Sequence, residues 1–182
     1  MTARVVVHAD ESCLGNGREG SNPGGAGGLV EIARAKGISR RDYYLSEPDT
    51  TNNRMAIRSA IAAIELLGTG RKPLELEFVS DSEYLVKGMT QWLRAWIRRE
   101  WKNVKNPELW QELNEVAEPH DITWKWVRGH AGHPRNEYAN YLATRAAAEQ
   151  HQSDGLVESG FMEWLEKQRK KKKYLEFNPD EL

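Results

Sequence analysis

The chain has 182 residues, enough for one domain with a complete hydrophobic core. Its formal net charge is −1, so the overall charge indicates no nucleic-acid partner and any basic surface must be local. One cysteine, Cys13, excludes an internal disulfide and fits a reducing compartment. No apolar run approaches the roughly 20 residues of a membrane span, and no apolar signal region is present at the N-terminus. We therefore expect a cytoplasmic monomer that makes no contact with a membrane.

Short apolar runs predict four strands in the first part of the chain: residues 4–7, 29–33, 42–45 and 74–79. Between the third and the fourth, apolar residues at helical spacing predict a helix that Asn52 or Asn53 caps and that ends near Leu67. The first and fourth strands each lead to an acid, Asp10 and Asp81.

The second part predicts helices on either side of one more strand: helices at 82–89, 90–99 and 107–117, a strand at 122–127 and a helix at 134–149. This order predicts an α/β fold with a mixed five-stranded sheet and helices on both faces. Residues 1–150 would form that domain. Residues 151–182 would be a C-terminal extension, with a polar linker followed by a basic helix or tail.

The acids Asp10 and Asp81 lie at the carboxyl ends of their predicted strands, where open α/β sheets bind ligands. Carboxylates are ligands that magnesium prefers, and a pair of divalent metals can activate water and stabilise a leaving oxygen in phosphodiester hydrolysis. A strand-end aspartate is also common as a helix cap, so either acid alone indicates little.

Four segments carry a more specific signal: HADESCLGNG at 8–17, TTNNRM at 50–55, SDSEYLVKGMTQW at 80–92 and WVRGHAGHPRNEYANYLA at 126–143. In these segments the chain resembles the type 1 ribonucleases H, which cut the RNA strand of an RNA–DNA hybrid. The resemblance covers about residues 4–149. It implies a ribonuclease H-like fold, Mg²⁺ or Mn²⁺ as cofactor, an RNA–DNA hybrid as partner, and endonucleolytic cleavage by a two-metal mechanism.

The acid set departs from that family at two positions. The resemblance implies four carboxylates, of which Asp10 and Asp81 are present, but Ala56 stands where the family has a glutamate and Asn140 where it has its last acid. Asn140 can still bind a metal through its amide oxygen, so we count it with the metal and catalytic residues. Metal affinity should fall unless another acid replaces the missing one. The nearest is Glu11, which on an ideal strand points away from Asp10, although a bulge or a strand end could relax that rule. We therefore interpret it as a solvated charge and keep it as a possible compensating acid.

The resemblance also assigns roles outside the acids. His130, between glycines of a loop, would shuttle protons or help the product to leave, whereas His133 is expected to be structural. The substrate would be held by two loops and two helices, through Cys13, Gly15, Asn16, Thr51, Asn52, Asn53, Glu83, Trp92 and Trp96.

Residues 92–110 interleave tryptophans with cations, which favours a groove for a nucleic-acid backbone. Packing of the tryptophans between helices is the alternative, above all for Trp101 and Trp110. The run Lys170–Lys173 is typical of a solvated helix face, and nonspecific attraction of phosphates is its alternative role.

Three functions fit this sequence. The first is an active hybrid-cutting endonuclease that Ala56 and Asn140 weaken. The second is a catalytically impaired module that binds RNA–DNA hybrids. The third is a related nuclease with another substrate, against which the glycine loop at 15–16 and TTNNRM argue. Position 56 fits either an engineered change or a natural branch with a different acid set.

Overall fold

A computed structural model describes residues 4–15, 19–70 and 72–182. Within these ranges one sheet contains six strands: β1 Arg4–Cys13, β2 Gly24–Arg34, β3 Gly37–Glu47, β4 Glu75–Ser80, β5 Asp121–Trp126 and β6 Val157–Glu158. Their order across the sheet is β5-β4-β1-β2-β3-β6. Strands β4 and β5 run parallel to β1, whereas β2 runs antiparallel to both β1 and β3. The sheet is therefore mixed, with β1 near its centre.

The helices lie on both faces of this sheet: α1 Asn52–Leu67, α2 Glu83–Lys87, α3 Leu93–Arg98, α4 Pro107–Ala117, α5 Pro134–Glu149 and α6 Phe161–Lys170. A π-helical turn, Gly88–Trp92, joins α2 to α3. Among the described residues, no helix has both the length and the apolar character that crossing a membrane requires.

The predicted α/β fold with a mixed sheet is confirmed, and each strand predicted from the sequence overlaps an observed one. The strand count of five is wrong, because β6 adds a sixth strand beyond β3. It consists of Val157 and Glu158 alone, so no alternation of apolar residues could reveal it.

The two faces of β1 serve different cores. Val5, Val7 and Ala9 are buried in the main hydrophobic core with the apolar face of α1. That core also contains Trp110, whose side chain is completely buried, so the packing alternative holds for this tryptophan. His8 and Asp10, which alternate with Val7 and Ala9 along β1, point to the opposite face because side chains alternate along a strand.

Helix α5 covers that opposite face at very short range because β2 presents glycines to it. A Cβ added to Gly25 would lie 2.3 Å from the backbone nitrogen of Ala147. One added to Gly27 would lie 2.5 Å from the Cβ of Leu142. Any larger residue at these positions would push α5 outward. The glycines therefore fix how closely Asn140 of α5 approaches the strand that carries Asp10.

The C-terminal extension packs on the α5 side of the sheet. Phe161 and Leu165 of α6 are completely buried and form a second core with Leu29, Tyr138 and Leu142. The buried carboxylate of Asp42 holds the start of the extension through hydrogen bonds from the Ser159 hydroxyl and the Gly160 N–H, besides that of Tyr138. The division of the chain at residue 150 stays a prediction, but the sheet is not complete before it.

The end of the extension is fastened by a buried ion pair. Glu31 of β2 is completely buried and accepts hydrogen bonds from Arg40, at 2.9 Å, and from Arg135 at the start of α5. Arg135 also donates to the backbone oxygens of Pro179, at 3.0 Å, and Glu181, at 2.8 Å. We call these five residues the clasp. Its charges are paired and hydrogen-bonded, as burial requires.

We expect Phe161→Ala to lower the free energy of unfolding of the whole protein by about 3–5 kcal/mol, because it empties the second core. The matched control is Met162→Ala, since Met162 is the next residue and is 40% exposed. That control should change stability by less than about 0.5 kcal/mol. Equilibrium unfolding in urea measures both. An unchanged midpoint for Phe161→Ala would show that the extension does not unfold with the rest of the molecule.

Candidate active site

Three carboxylates meet at the carboxyl end of β1. Oxygens of Asp10, Glu11 and Asp81 all lie within 4.8 Å of one another. Asp10 is buried, and the other two are half-buried. The predicted pair of aspartates is therefore close together, and the structure adds Glu11 to it.

The convergence follows from where β4 ends. Strand β1 pairs with β4 only as far as Ala9 opposite Ser80, but it continues along β2 to Cys13. Beyond Ala9, one edge of β1 is therefore free, and Asp81 occupies the space directly after β4. Side chains from opposite faces of β1 reach around this free edge to Asp81. The interpretation of Glu11 as a solvated charge is wrong for this reason, although the alternation of faces holds.

Glu11 lies on the side of the sheet that α1 covers. It continues the series Val5, Val7 and Ala9 along that face. Ala56 of α1 is 1% exposed and belongs to the same core. A glutamate at position 56 would thus approach from the face on which Glu11 lies. In this chain the third acid of the cluster comes from β1, and position 56 carries no acid.

Asn140 reaches the same cluster from the other face. Its side chain on α5 donates a hydrogen bond to the Asp10 carboxylate. The backbone N–H of Glu11 donates a second one, at 2.8 Å. With its N–H directed at Asp10, Asn140 has its amide oxygen left as a neutral ligand for a cation.

Burial and mutual repulsion make this cluster favour positive charge. Burial, followed by the charge of Asp81, raises the pKa of Asp10 to about 7. Burial, followed by Asp10 and Asp81, raises the pKa of Glu11 well above its usual range. Burial also raises the pKa of Asp81, against a lowering effect of His130. Clustered carboxylate oxygens of this kind fit a divalent cation such as Mg²⁺ or Mn²⁺, whose charge would offset the repulsion.

The loop that carries His130 passes directly over Asp81. A Cβ added to Gly129 would lie 2.2 Å from the Asp81 carboxylate, so only glycine fits there. The indole N–H of Trp126 donates to the backbone oxygen of Asp81 at 3.0 Å. His130 itself is exposed and adopts a left-handed backbone with φ of 50°, and it lowers the pKa of both Asp10 and Asp81. Sequence reasoning missed the positions of Gly129 and Trp126, because only the approach of the loop to Asp81 reveals them.

The predicted RNA-side residues lie beside the start of α1. The thiol of Cys13 is 3.4 Å from the backbone oxygen of Thr50, so the glycine loop and the TTNNRM segment are neighbours. The helix cap is Thr51, whose hydroxyl accepts from the N–H of Arg54, and not Asn52 or Asn53 as predicted. Both asparagines are exposed in the first turn, free of the capping role.

The other two predicted contact residues of the glycine loop are Gly15 and Asn16. Gly15 has a φ of +116°, which favours glycine, and a Cβ there would lie 2.7 Å from the side-chain oxygen of Asn22. Asn16 lies outside the described residues.

The remaining predicted contact residues lie on α2, on the π-helical turn and on α3, which follow Asp81 in the chain. Glu83 is exposed in the first turn of α2 and pairs with Lys87 at 3.0 Å. Trp92 is 37% exposed, and its ring is 5.8 Å from that of Trp96. Trp96 in turn packs on the buried Trp110, at 4.9 Å. Exposed cations surround this row of rings: Arg94, Arg98, Arg99, Lys102 and Lys105.

Known proteins match most of the chain. The family model described as RNase H matches residues 2–148. Ribonuclease H of Sulfurovum sp. (strain NBC37-1) is 45% identical over 144 residues, which are 79% of this chain and 90% of that protein. Ribonuclease H of Thiobacillus denitrificans (strain ATCC 25259 / T1) is 42% identical over 158 residues, which are 84% and 99% of the two chains.

A solved structure is similar over nearly the same extent. It is the crystal structure of LC9-RNase H1, described as a type 1 RNase H with the type 2 active-site motif. Its sequence is 54% identical, and the likeness covers 90% of this chain and 81% of that one, with a TM-score of 0.84.

We expect Glu11→Gln to raise the midpoint of thermal unfolding of the metal-free protein, because it removes one of three repelling carboxylates. It should also reduce the further rise that added Mg²⁺ produces. The control is Glu75→Gln, an exposed residue at the opposite end of the sheet. Acidification from about pH 8 to about pH 6 should narrow this difference between the metal-free wild type and Glu11→Gln, because the Glu11 carboxyl, whose pKa is raised, takes up a proton on folding. Equal midpoints for Glu11→Gln and the wild type without metal would contradict the repulsion.

Proposed function

Because the chain belongs to the ribonuclease H family, we propose that it cleaves the RNA strand of RNA–DNA hybrids endonucleolytically, leaving a 3′-hydroxyl and a 5′-phosphate. The observation that carries this proposal is the convergence of Asp10, Glu11 and Asp81 beside Asn140. It supplies a set of oxygen ligands despite the alanine at position 56. Members of this family are endoribonucleases that hydrolyse phosphodiester bonds.

We assign the metal-binding role to these four residues. Two bound Mg²⁺ or Mn²⁺ ions would supply an activated water and stabilise the leaving oxygen. Asp10, to which Asn140 donates a hydrogen bond, would be the central ligand, and Asp81, Glu11 and Asn140 would complete the oxygen set that holds the ions.

The charge of this set is smaller than that of four carboxylates. Three ionised acids supply −3 against the +4 of two magnesium ions, because Asn140 is neutral. We therefore propose that metal affinity is weaker than in a site with four acids, although activity is retained. A relative with 54% identity is described as having a type 2 active-site motif. That description supports a natural branch with a different acid set over an engineered change at Ala56.

His130 would exchange protons with the water or the leaving oxygen. Its loop lies against Asp81 at Gly129, and its side chain is exposed to solvent. A residue that must both contact the reacting phosphate and release the product suits an exposed loop.

Recognition of the hybrid would use the surface beside α1. Asn52 and Asn53 can donate to and accept from base edges or 2′-hydroxyls, and the adjoining backbone of Gly15 permits close approach. Thr51, Cys13 and Asn16 belong to the same two segments. Glu83 can accept from a 2′-hydroxyl. Trp92 and Trp96 with their surrounding cations would hold the second strand by its backbone.

We expect Asp10→Asn to abolish hybrid cleavage in both Mg²⁺ and Mn²⁺, because a neutral amide would weaken both metal positions. Glu11→Gln should reduce cleavage by at least about 100-fold at low metal concentration. Glu75→Gln at the far end of the sheet is the control. Labelled hybrid, duplex RNA and duplex DNA serve as substrates over a range of metal concentrations.

The outcomes of this assay separate the candidate functions. Binding of hybrid without cleavage at any metal concentration would support the second candidate function, a catalytically impaired module that binds RNA–DNA hybrids. Cleavage of duplex RNA or DNA as fast as hybrid would indicate a nuclease with another substrate. Unchanged metal dependence in Glu11→Gln would remove Glu11 from the ligand set.

A transfer of the acid tests the assignment of Glu11 directly. Glu11→Gly should lower cleavage, and the double variant Glu11→Gly/Ala56→Glu should regain it, because the carboxylate then approaches from α1. The single variant Ala56→Glu should show no gain, since Glu11 already occupies that space. A gain from Ala56→Glu alone would mean that the position beside Glu11 still lacks an acid.

A further inference from the structure

The segment after α6 returns to the loop that carries His130. Tyr174 stacks on Trp164 of α6 with ring centroids 5.9 Å apart. Three residues later, the half-buried ring of Phe177 meets His133 edge-on at 6.1 Å. His133 is the last residue of the loop, directly before α5 begins. Phe177 therefore contacts a loop from which it is separated by more than forty residues in the sequence.

Phe177 is one layer of a continuous stack. The rings of His8 and His133 are parallel within 10° and 5.6 Å apart. Phe177 packs on His133, and the guanidinium of Arg135 lies 4.9 Å above the Phe177 ring.

The tail on either side of Phe177 is fixed. Before it, Tyr174 is held by Trp164, and after it, Arg135 donates to the backbone oxygens of Pro179 and Glu181. Glu31 pairs with Arg135 and keeps its guanidinium in place. The contacts that hold the ring of Phe177 beside His133 therefore involve neither His130 nor the site carboxylates Asp10, Glu11 and Asp81.

The loop at residues 129–133 has two anchors. Gly129 lies against Asp81 at one end, and His133 lies between His8 and Phe177 at the other. His130, Ala131 and Gly132 between them are exposed. The direction in which His130 points depends on both anchors.

We propose that Phe177 is a positioning residue for this loop: by holding His133 against His8, it keeps His130 beside Asp10 and Asp81. The inference rests on the role proposed above for His130. It also gives the C-terminal extension, which lies beyond the matched region 2–148, a part in the reaction.

The test compares Phe177→Leu, which keeps an apolar side chain but removes the ring, with Phe177→Tyr, which keeps the ring. Leu165→Ala is the matched control, because Leu165 is buried in the same second core and takes no part in the ring contacts of Tyr174, Phe177 and His133 described above. Steady-state cleavage of hybrid is measured at a temperature where all variants are folded. Phe177→Leu should lower kcat about 5- to 20-fold with KM within about twofold. Phe177→Tyr and Leu165→Ala should keep kcat near the wild-type value.

The decisive arm repeats the substitution in a protein that lacks the histidine. In His130→Ala, adding Phe177→Leu should cause no further loss of kcat, because the ring would then position nothing. A loss of the same factor in both backgrounds would overturn the inference, as would an equal loss of kcat in Leu165→Ala. Such results would indicate a general loosening of the fold.

The NMR signals of the His130 ring in the metal-free protein give a readout that is independent of cleavage. Phe177→Leu should shift or broaden them, whereas Leu165→Ala should not. Unchanged His130 signals in Phe177→Leu would overturn the positioning. If His130→Ala leaves kcat unchanged while Phe177→Leu alters the His130 signals, the positioning stands and the proposed role of His130 fails.

Discussion

Mutual repulsion of three carboxylates is the constraint on which the architecture of this protein depends. Asp10 and Glu11 project from a strand that is hydrogen-bonded on both sides up to Ala9, and Asp81 begins the loop after the neighbouring strand. Backbone pairing therefore fixes where the three side chains start, close to one another. Their repulsion favours the binding of a divalent cation.

The same strand organises what surrounds the acids. Its two faces lead to α1 and α5, and each helix approaches closely because the facing positions are small. Gly25 and Gly27 admit α5, and Ala56 packs in the core on the α1 side. The two glycines have an electrostatic consequence, because they decide how near Asn140 comes to Asp10.

Much of this arrangement could be predicted from local patterns. Strand alternation and strand-end acids correctly placed Asp10 and Asp81 at one edge, and helical spacing placed Asn140 on a helix that packs there. The position of Glu11 could not be predicted, because the rule that neighbours point to opposite faces says nothing about where the adjacent strand stops. The predicted cap of α1, Asn52 or Asn53, is wrong, and Thr51 caps the helix, because both types of side chain can do so.

The C-terminal extension was unpredictable for a different reason. Its contacts join residues that are far apart in the sequence, such as Phe161 with Leu29 and Arg135 with Glu181. Strand β6 has two residues, too few for any periodicity. The polar composition of residues 150–155 suggested a free linker, yet Ser153 donates its backbone N–H to the Tyr44 oxygen at 2.9 Å, which ties this stretch to β3.

The clasp around Glu31 has a consequence for the order in which the protein matures. Glu31 is translated early, Arg135 follows 104 residues later, and Pro179 comes after a further 44. When only the first three strands have been translated, Arg40 is the one clasp partner of Glu31 that has been made. The clasp can be completed only after the residues around position 180 have been translated. Such distant pairings make a chain slow to complete its fold. The carboxylates of the site are therefore translated well before Phe177, the tail residue that packs on His133. The acids and the support of the His130 loop are thus made at different times.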